Sequence, residues 1–343
     1  MLYLKAEKLD AFLARAAETR KLYVPVDSEP GRSSYREWTP GTAVSRGLHT
    51  TRSAKDFFFP QTENLAGFRV EDKKIRVIDP RTETEDFAVF GVRACDARSF
   101  GILDKVFLAD PVDTYYENRR RHGLILSMSC RRPAETCFCK NFGIDAAEPE
   151  GDVRFTDDGD GWYLEALTEA GKAFLDPLAD LCEDRDPAGA EAVKEKTREI
   201  VGRLPLNDLP VGKFGGGKTK ELFDRPEWAE LSEACIGCGT CTFVCPTCQC
   251  YDIRDFDTGR EIRRFRCWDS CMYSDFTKMA GGNPRLTQKE RFRQRFMHKL
   301  VYFPENNGGE FGCVGCGRCL ASCPIHMHIV KVMKRLGEDE NEQ

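Results

Sequence analysis

Two copies of one twelve-residue run sit in the carboxy-terminal part of the chain. Cys235-Ile-Gly-Cys238-Gly-Thr-Cys241-Thr-Phe-Val-Cys245-Pro246 matches Cys313-Val-Gly-Cys316-Gly-Arg-Cys319-Leu-Ala-Ser-Cys323-Pro324, with every Cys, both glycines and the Pro in common. Four thiols at spacings of two, two and three residues can surround a compact inorganic core, and the glycines let the backbone bend round it. C-x2-C-x2-C-x3-C-P is the bacterial run for a 4Fe–4S cubane in two-cluster ferredoxins. There the first three thiolates reach one cube and the fourth, leading away, reaches the other. Cys235, Cys238, Cys241 and Cys323 are therefore expected to hold one cluster. Cys313, Cys316, Cys319 and Cys245 are expected to hold the second. Zinc is the alternative, but it favours paired C-x2-C units with a longer spacer.

The rest of the composition agrees. The chain has 343 residues, 17 of them Cys, and its N-terminus, with Lys5, Glu7, Lys8 and Asp10, has no signal-peptide core. A cytoplasmic location, reduced thiols and metal ligation rather than disulfides are expected. The charge balance of 51 − 56 = −5 gives no hint of a nucleic-acid partner, and no apolar run is long enough for membrane insertion.

The pattern before the runs predicts an α/β domain over residues 1–205. Leu9, Phe12, Leu13 and Ala16 share one helical face. Lys21–Val26, Phe57–Phe59 and Phe68–Ile78 read as strands, and residues 27–53 as a long loop. Phe87–Val92, a helix over Asp96–Leu108, a helical stretch over Thr114–His122 and the strand Leu124–Ser129 suit a parallel pair with a crossover helix. Val153–Thr156 and Trp162–Ala166 flank a turn and read as a hairpin, and Ala188–Arg203 as a helix. Residues 206–220 read as a linker. Residues 221–343 are expected to form a ferredoxin-like 4Fe–4S dicluster domain with an insertion at 247–312. Within the insertion Thr287 and Glu290 form a capping-box pair, and Phe292, Phe296 and Leu300 recur at helical spacing. An acidic tail, 337–343, ends the chain.

Nine cysteines lie outside the two runs. Cys95 follows one predicted strand, Cys130 ends another, and Cys137 and Cys139 lie in the loop beyond. Ligands of open α/β sheets bind at the carboxyl ends of strands, so these four are candidates for a third metal site, or else small buried residues. Cys248, Cys250 and Cys271 form a weaker candidate group. Cys182 reads as a structural thiol, and Cys267 has no assigned role.

Gly212-Lys-Phe-Gly-Gly-Gly-Lys218-Thr219 fits the phosphate-loop pattern G-x4-G-K-[ST]. Pro205, Pro210 and Pro226 around it deny it the strand and helix that such a loop needs, so a flexible linker is expected. Lys289, Arg291, Arg293, Arg295 and Lys299 give the Phe292/Phe296 helix a basic face. It reads as a solvated face, or as charge for an acidic partner or a nearby cluster. His326 and His328 read as surface or packing residues.

Several segments together resemble the β subunits of cytoplasmic hydrogenase/sulfur reductase (sulfhydrogenase) and the related A subunits of anaerobic sulfite reductase. They are Lys55-Asp-Phe-Phe-Phe-Pro60, Phe90-Gly-Val-Arg-Ala-Cys95-Asp96, Cys137-Phe-Cys139, Cys245-Pro-Thr-Cys248-Gln-Cys250-Tyr251, Trp268-Asp-Ser-Cys271 and Ala280-Gly-Gly282, with the second Cys run. The resemblance implies an iron–sulfur subunit relaying electrons between an NAD(P)H-linked flavin subunit and a nickel–iron hydrogenase/sulfur reductase module. The alternative is relay to a sirohaem sulfite-reducing subunit. It also implies that Cys95, Cys130, Cys137 and Cys139 act together. No dinucleotide fingerprint and no catalytic base or nucleophile is evident, so no catalytic centre of the chain's own is expected. A reductase with a substrate-binding cluster near Cys248–Cys271 and a zinc-stabilised binding module are the other classes.

Overall fold

The computed structural model describes all residues except 30, 48–49, 72 and 339–343, so most of the expected acidic tail lies outside the described residues. In chain order the elements begin with β1 (Leu2–Lys5), α1 (Leu9–Ala16), β2 (Lys21–Glu29), β3 (Arg32–Glu37), α2 (Lys55–Phe58), β4 (Thr62–Glu71) and β5 (Lys74–Ile78). They continue with β6 (Phe87–Arg93), α3 (Ala94–Phe107), α4 (Thr114–His122), β7 (Gly123–Met128), β8 (Val153–Asp157), β9 (Gly161–Ala166), α5 (Glu169–Leu175), β10 (Glu183–Asp184) and α6 (Pro187–Gly202). The remainder holds α7 (Thr219–Leu222), α8 (Glu227–Glu233), α9 (Thr240–Phe243), β11 (Tyr251–Asp257), β12 (Ile262–Trp268), α10 (Gln288–Met297), a π-helical turn (His298–Tyr302), α11 (Phe303–Asn306), α12 (Arg318–Ser322) and α13 (Ile329–Gly337).

These elements form two compact units. The first contains Met1–Phe59, Glu83–Asn207 and Val314–Cys316; the second contains Pro60–Thr82, Asp208–Cys313 and Gly317–Gln343.

The first unit is built on an eight-stranded sheet in the order β10-β1-β9-β8-β7-β6-β2-β3. The neighbours β2, β6, β7 and β8 are parallel, and the rest pair antiparallel. The expected parallel pair is β6 with β7, and the expected hairpin is β8 with β9. Both central strands are buried along their whole length, as the uninterrupted apolar runs of parallel strands require. Phe12, Leu13 and Ala16 of α1 pack with Leu22, Phe90, Leu126, Phe155 and Trp162 into the principal core. Cys182 packs against this core and its Sγ lies 3.9 Å from the Leu178 carbonyl, in keeping with a structural thiol.

Two local expectations for this unit do not hold. Phe57–Phe59 is a helical turn rather than a strand. Phe57 stacks on Tyr23, Phe58 meets Phe87 and Phe100, and Phe59 meets Phe107. A strand would alternate these rings between two faces, whereas a helical turn spreads them in three directions. Part of the expected loop 27–53 is ordered too: β2 runs on to Glu29 and returns as β3.

The second unit carries a four-stranded antiparallel sheet in the order β11-β12-β4-β5. The hairpin of β4 and β5, expected within residues 1–205, belongs here because β4 pairs with β12 over Thr62–Phe68. Buried Arg266 of β12 donates from Nε to Glu63 Oε2 of β4 at 2.7 Å, which ties this non-local pairing together. The segment read as a flexible linker is packed instead: Leu209 and Phe214 are buried, and Gly215 N donates to the Leu300 carbonyl at 2.9 Å. Among the described residues no strand leads into Gly212, and Lys218 pairs with Glu221, so the phosphate-loop pattern lacks its fold.

Candidate iron–sulfur centre

The two Cys runs fold alike. Gly237 and Gly239 flank Cys238 at φ +67° and +72°, and Gly315 and Gly317 flank Cys316 at +59° and +77°. These left-handed turns wrap each backbone round its second Cys, a conformation costly for any residue with a Cβ. Each turn feeds a short helix, α9 or α12, which carries the third Cys; α9 and α12 pack together, and Cys245 and Cys323 follow them. The donor set and the turns fit a cubane. Among the described residues no three His, Cys, Asp or Glu side chains are spaced to hold a single metal ion.

The helix α10 begins with the expected capping box: Glu290 N donates to Thr287 Oγ1, and Thr287 N to Glu290 Oε2 at 2.7 Å. Phe292, Phe296 and Leu300 are buried as their spacing predicted. The basic face expected to be solvated is not wholly so. Arg295 is 3% exposed and Lys299 7%. Arg295 Nη2 donates to the Cys241 carbonyl. Lys299 Nζ donates to Thr247 Oγ1 at 2.6 Å and to the Gly312 carbonyl at 2.8 Å, and Thr247 Oγ1 lies 3.3 Å from Cys245 Sγ. Helical geometry explains this: 295 and 299 lie three residues after Phe292 and Phe296, on the buried stripe. Lys299 also sits on the π-helical turn, a form frequent at functional sites.

The local field follows from this burial. Desolvation raises the Cys245 thiol, but Lys299 and Arg295 overcome it and hold the group at about 7. Desolvation alone would lower Arg295 and Lys299; the neighbouring thiolates outweigh it and keep both raised. For Arg295 those thiolates are Cys241, Cys245, Cys271 and Cys248; for Lys299 the foremost is Cys245, with Cys248 and Cys313.

The weaker candidate trio is assembled. Cys250 is hydrogen-bonded to Cys248 and to Cys271, which raises Cys250 and lowers Cys271. Cys248 and Cys271 are buried, and both bear electrostatically on Cys241 of the first run. Ser270, fully buried, accepts a hydrogen bond from Thr242 of α9 at 2.9 Å and fixes the Trp268–Cys271 segment against that run. Cys267 lies in β12, opposite Thr62 and Asp252, away from this chemistry.

The first unit gathers another set. Burial raises the Cys139 thiol to about 12, and the charges of Cys130, Cys137 and Cys316 add to it. Phe138 N donates to the Gly315 carbonyl at 2.8 Å, and Cys137 Sγ lies 4.0 Å from the Cys316 carbonyl. Cys95, also buried, opens α3 directly beyond β6, whose neighbour β7 ends two residues before Cys130. That Val314–Cys316 of the second run packs here has no signal in the spacing of the residues. The burial of Arg295 and Lys299 was missed, although their register with Phe292 and Phe296 carried the signal for it. His328 caps α13 by accepting from Lys331 N, a packing role.

Comparison with known proteins places these features. The family of 4Fe–4S dicluster domains matches residues 234–327, so the cofactors are two 4Fe–4S clusters. The chain is 34% identical to sulfhydrogenase 2 subunit beta of Pyrococcus furiosus, covering 98% of both chains. No solved structure matches. No described helix is long and apolar enough to cross a membrane. Duplicated cysteine turns and end-to-end similarity lead to one conclusion: the chain belongs to the sulfhydrogenase β-subunit family.

Proposed function

We propose that this chain is the electron-relay subunit of a soluble multi-subunit oxidoreductase. It would pass electrons between an NAD(P)H-linked flavin subunit and a nickel–iron hydrogenase or sulfur reductase module. The observation that carries this reading is the repeated turn, with glycines at left-handed φ on both sides of Cys238 and of Cys316. The eight run cysteines would hold the two clusters in the crossed arrangement, Cys235, Cys238, Cys241 and Cys323 for one and Cys313, Cys316, Cys319 and Cys245 for the other. Bound clusters supply reversible one-electron chemistry. The chain's own residues bind them through thiolates, bend round them at the glycines and offset negative charge with Arg295 and Lys299.

Cys95, Cys130, Cys137 and Cys139 would hold a further cluster. The convergence of Cys130 and Cys137 on Cys139 supports this. Cys248, Cys250 and Cys271 would complete the thiol shell beside the first run. Membership in a complex is supported by the four-stranded sheet, which exposes Val70, Ile75, Val77, Ile253 and Ile262; so much apolar surface marks an interaction face. The test is reconstitution. NAD(P)H should bleach the visible absorbance of the purified chain only when the flavin subunit is added. Sulfur, sulfite or proton reduction by the chain alone, with a chemical donor, would overturn the relay reading.

A further inference from the structure

The first unit contains a second feature that the iron–sulfur reading does not use. A pocket of about 180 Å³ is lined by Arg46, Arg93, Arg131, Arg132, Asp157 and Gly159. It lies where ligands of open α/β sheets bind, at the carboxyl ends of parallel strands. Arg93 ends β6, Arg131 and Arg132 follow β7, and Asp157 ends β8.

Two of the guanidinium groups, those of Arg93 and Arg46, are held by hydrogen bonds. Arg93 is 5% exposed and donates to the carbonyls of Ser129 at 2.6 Å and Gly47 at 2.5 Å. These carbonyls orient the guanidinium without neutralising it. Arg46 donates to Asp157 Oδ1 and to the Gly159 carbonyl, both at 2.6 Å, and its Cζ stands 4.5 Å from the centre of the buried Trp162 ring. Arg131 Nη1 is 3.9 Å from Asp157 Oδ1. Gly159 has φ +107°, and a Cβ there would lie 2.3 Å from Arg131 Nη1, so the glycine makes room for that side chain. Four arginines and one carboxylate line the pocket, a formal balance of 4 − 1 = +3. Like charges gathered in a small, partly dry space repel unless an anion joins them.

We propose that this pocket binds a small, multiply charged oxyanion of the phosphate class. Guanidinium forks match tetrahedral oxyanions through paired hydrogen bonds, and fixed forks lose little freedom on binding. The volume suits one or two tetrahedral groups and is below the roughly 300 Å³ at which organic ligand pockets begin. The ligand is therefore free phosphate or pyrophosphate, or the phosphate end of a larger molecule whose remainder stays outside.

The test is calorimetric titration of the full-length, anaerobically purified protein with inorganic phosphate, with pyrophosphate and with ADP, at ionic strength fixed by chloride. Saturable one-to-one binding of at least one of them is expected. Arg131→Gln and Arg132→Gln, whose side chains reach solvent, should each weaken it at least tenfold while iron content stays at the wild-type value. Binding of ADP alone would assign the organic source, and binding of the inorganic ions the free one. Absence of saturable binding by all three, or binding unchanged in both variants, would overturn the proposal. Arg46→Lys, which keeps the charge but loses the fork, should bind more weakly than wild type; equal binding would also count against a built oxyanion site.

Discussion

Lys299 Nζ and Thr247 Oγ1 are 2.6 Å apart, and the same hydroxyl oxygen lies 3.3 Å from Cys245 Sγ. A buried ammonium is thus one hydroxyl away from a proposed cluster ligand. Among the described residues, the hydrogen-bond partners of Lys299 Nζ are Thr247 Oγ1 and the Gly312 carbonyl, neither of them a carboxylate. Burying a cation is costly without a compensating negative charge; an anionic cluster held through Cys245 would supply that charge.

The consequence is electrochemical. A unit charge roughly 6 Å away at an effective dielectric of about 20 is worth about 3 kcal/mol, on the order of 100 mV for one electron. Lys299→Met should lower the midpoint potential of the cluster proposed to be held by Cys245 by tens of millivolts or more. Lys299→Arg should restore most of it. Redox titration followed by EPR measures both, and a potential unchanged in Lys299→Met would remove the electrostatic role.

Gly315 is a backbone test of the second run. A Cβ there would lie 2.6 Å from the Phe138 carbonyl and from Cys139 N, at a φ of +59°. Gly315→Ala should cost more than about 2 kcal/mol and reduce the iron bound per chain. Gly217→Ala is the control: φ is +80° but the space is open, so the loss should be about 1 kcal/mol with iron retained. Thermal unfolding and iron assay separate the two.

The buried pair of Glu63 and Arg266 joins β4 to β12. Glu63→Ala removes this carboxylate from the buried guanidinium and should cost about 3–5 kcal/mol. Glu63→Leu combined with Arg266→Met should recover most of that loss, because well-packed apolar residues replace a buried pair at little cost. Denaturant unfolding of the single and double variants checks this.

Glu148 accepts hydrogen bonds from Lys194 at 2.9 Å and Arg198 at 2.7 Å. The hydrogen bond from Lys194, with the Lys194, Arg154 and Arg198 charges, holds its carboxyl below the ordinary 4.5 against the opposing effect of burial. A depressed carboxylate contributes stability that is complete above the unfolded value and lost as pH falls through the folded one. Glu148→Gln should therefore be less stable than wild type at pH 7, by about 1 kcal/mol for so solvated a network. The difference should shrink as pH falls below 4.5. A difference independent of pH would assign the loss to packing instead.

What the sequence revealed depended on how local the cause was. The cysteine turns were legible because ligand spacing and glycine conformation are fixed within twelve residues, and the four glycines adopt the required φ. The buried strands β6 and β7 and the capping box at Thr287 were legible for the same reason. The pairing of β4 with β12 was not, because it joins residues about two hundred positions apart and rests on the Glu63–Arg266 contact. Phe57–Phe59 misled because three aromatics read as a strand until their partners are known. Nor did spacing reveal that Arg46, Arg93 and Arg131 share one pocket, since the sheet alone brings them together.

The most direct test of the electron-relay reading is combined metal analysis and EPR of the full chain, purified anaerobically and reduced. Two cubanes require about eight iron and eight sulfide per chain, and a third raises both to about twelve. Neighbouring reduced clusters should give a spin-coupled spectrum, and Cys245→Ser or Cys323→Ser should each disturb one cluster and leave the other. Stoichiometric zinc without iron, or a reduced protein with no iron–sulfur EPR signal, would contradict it.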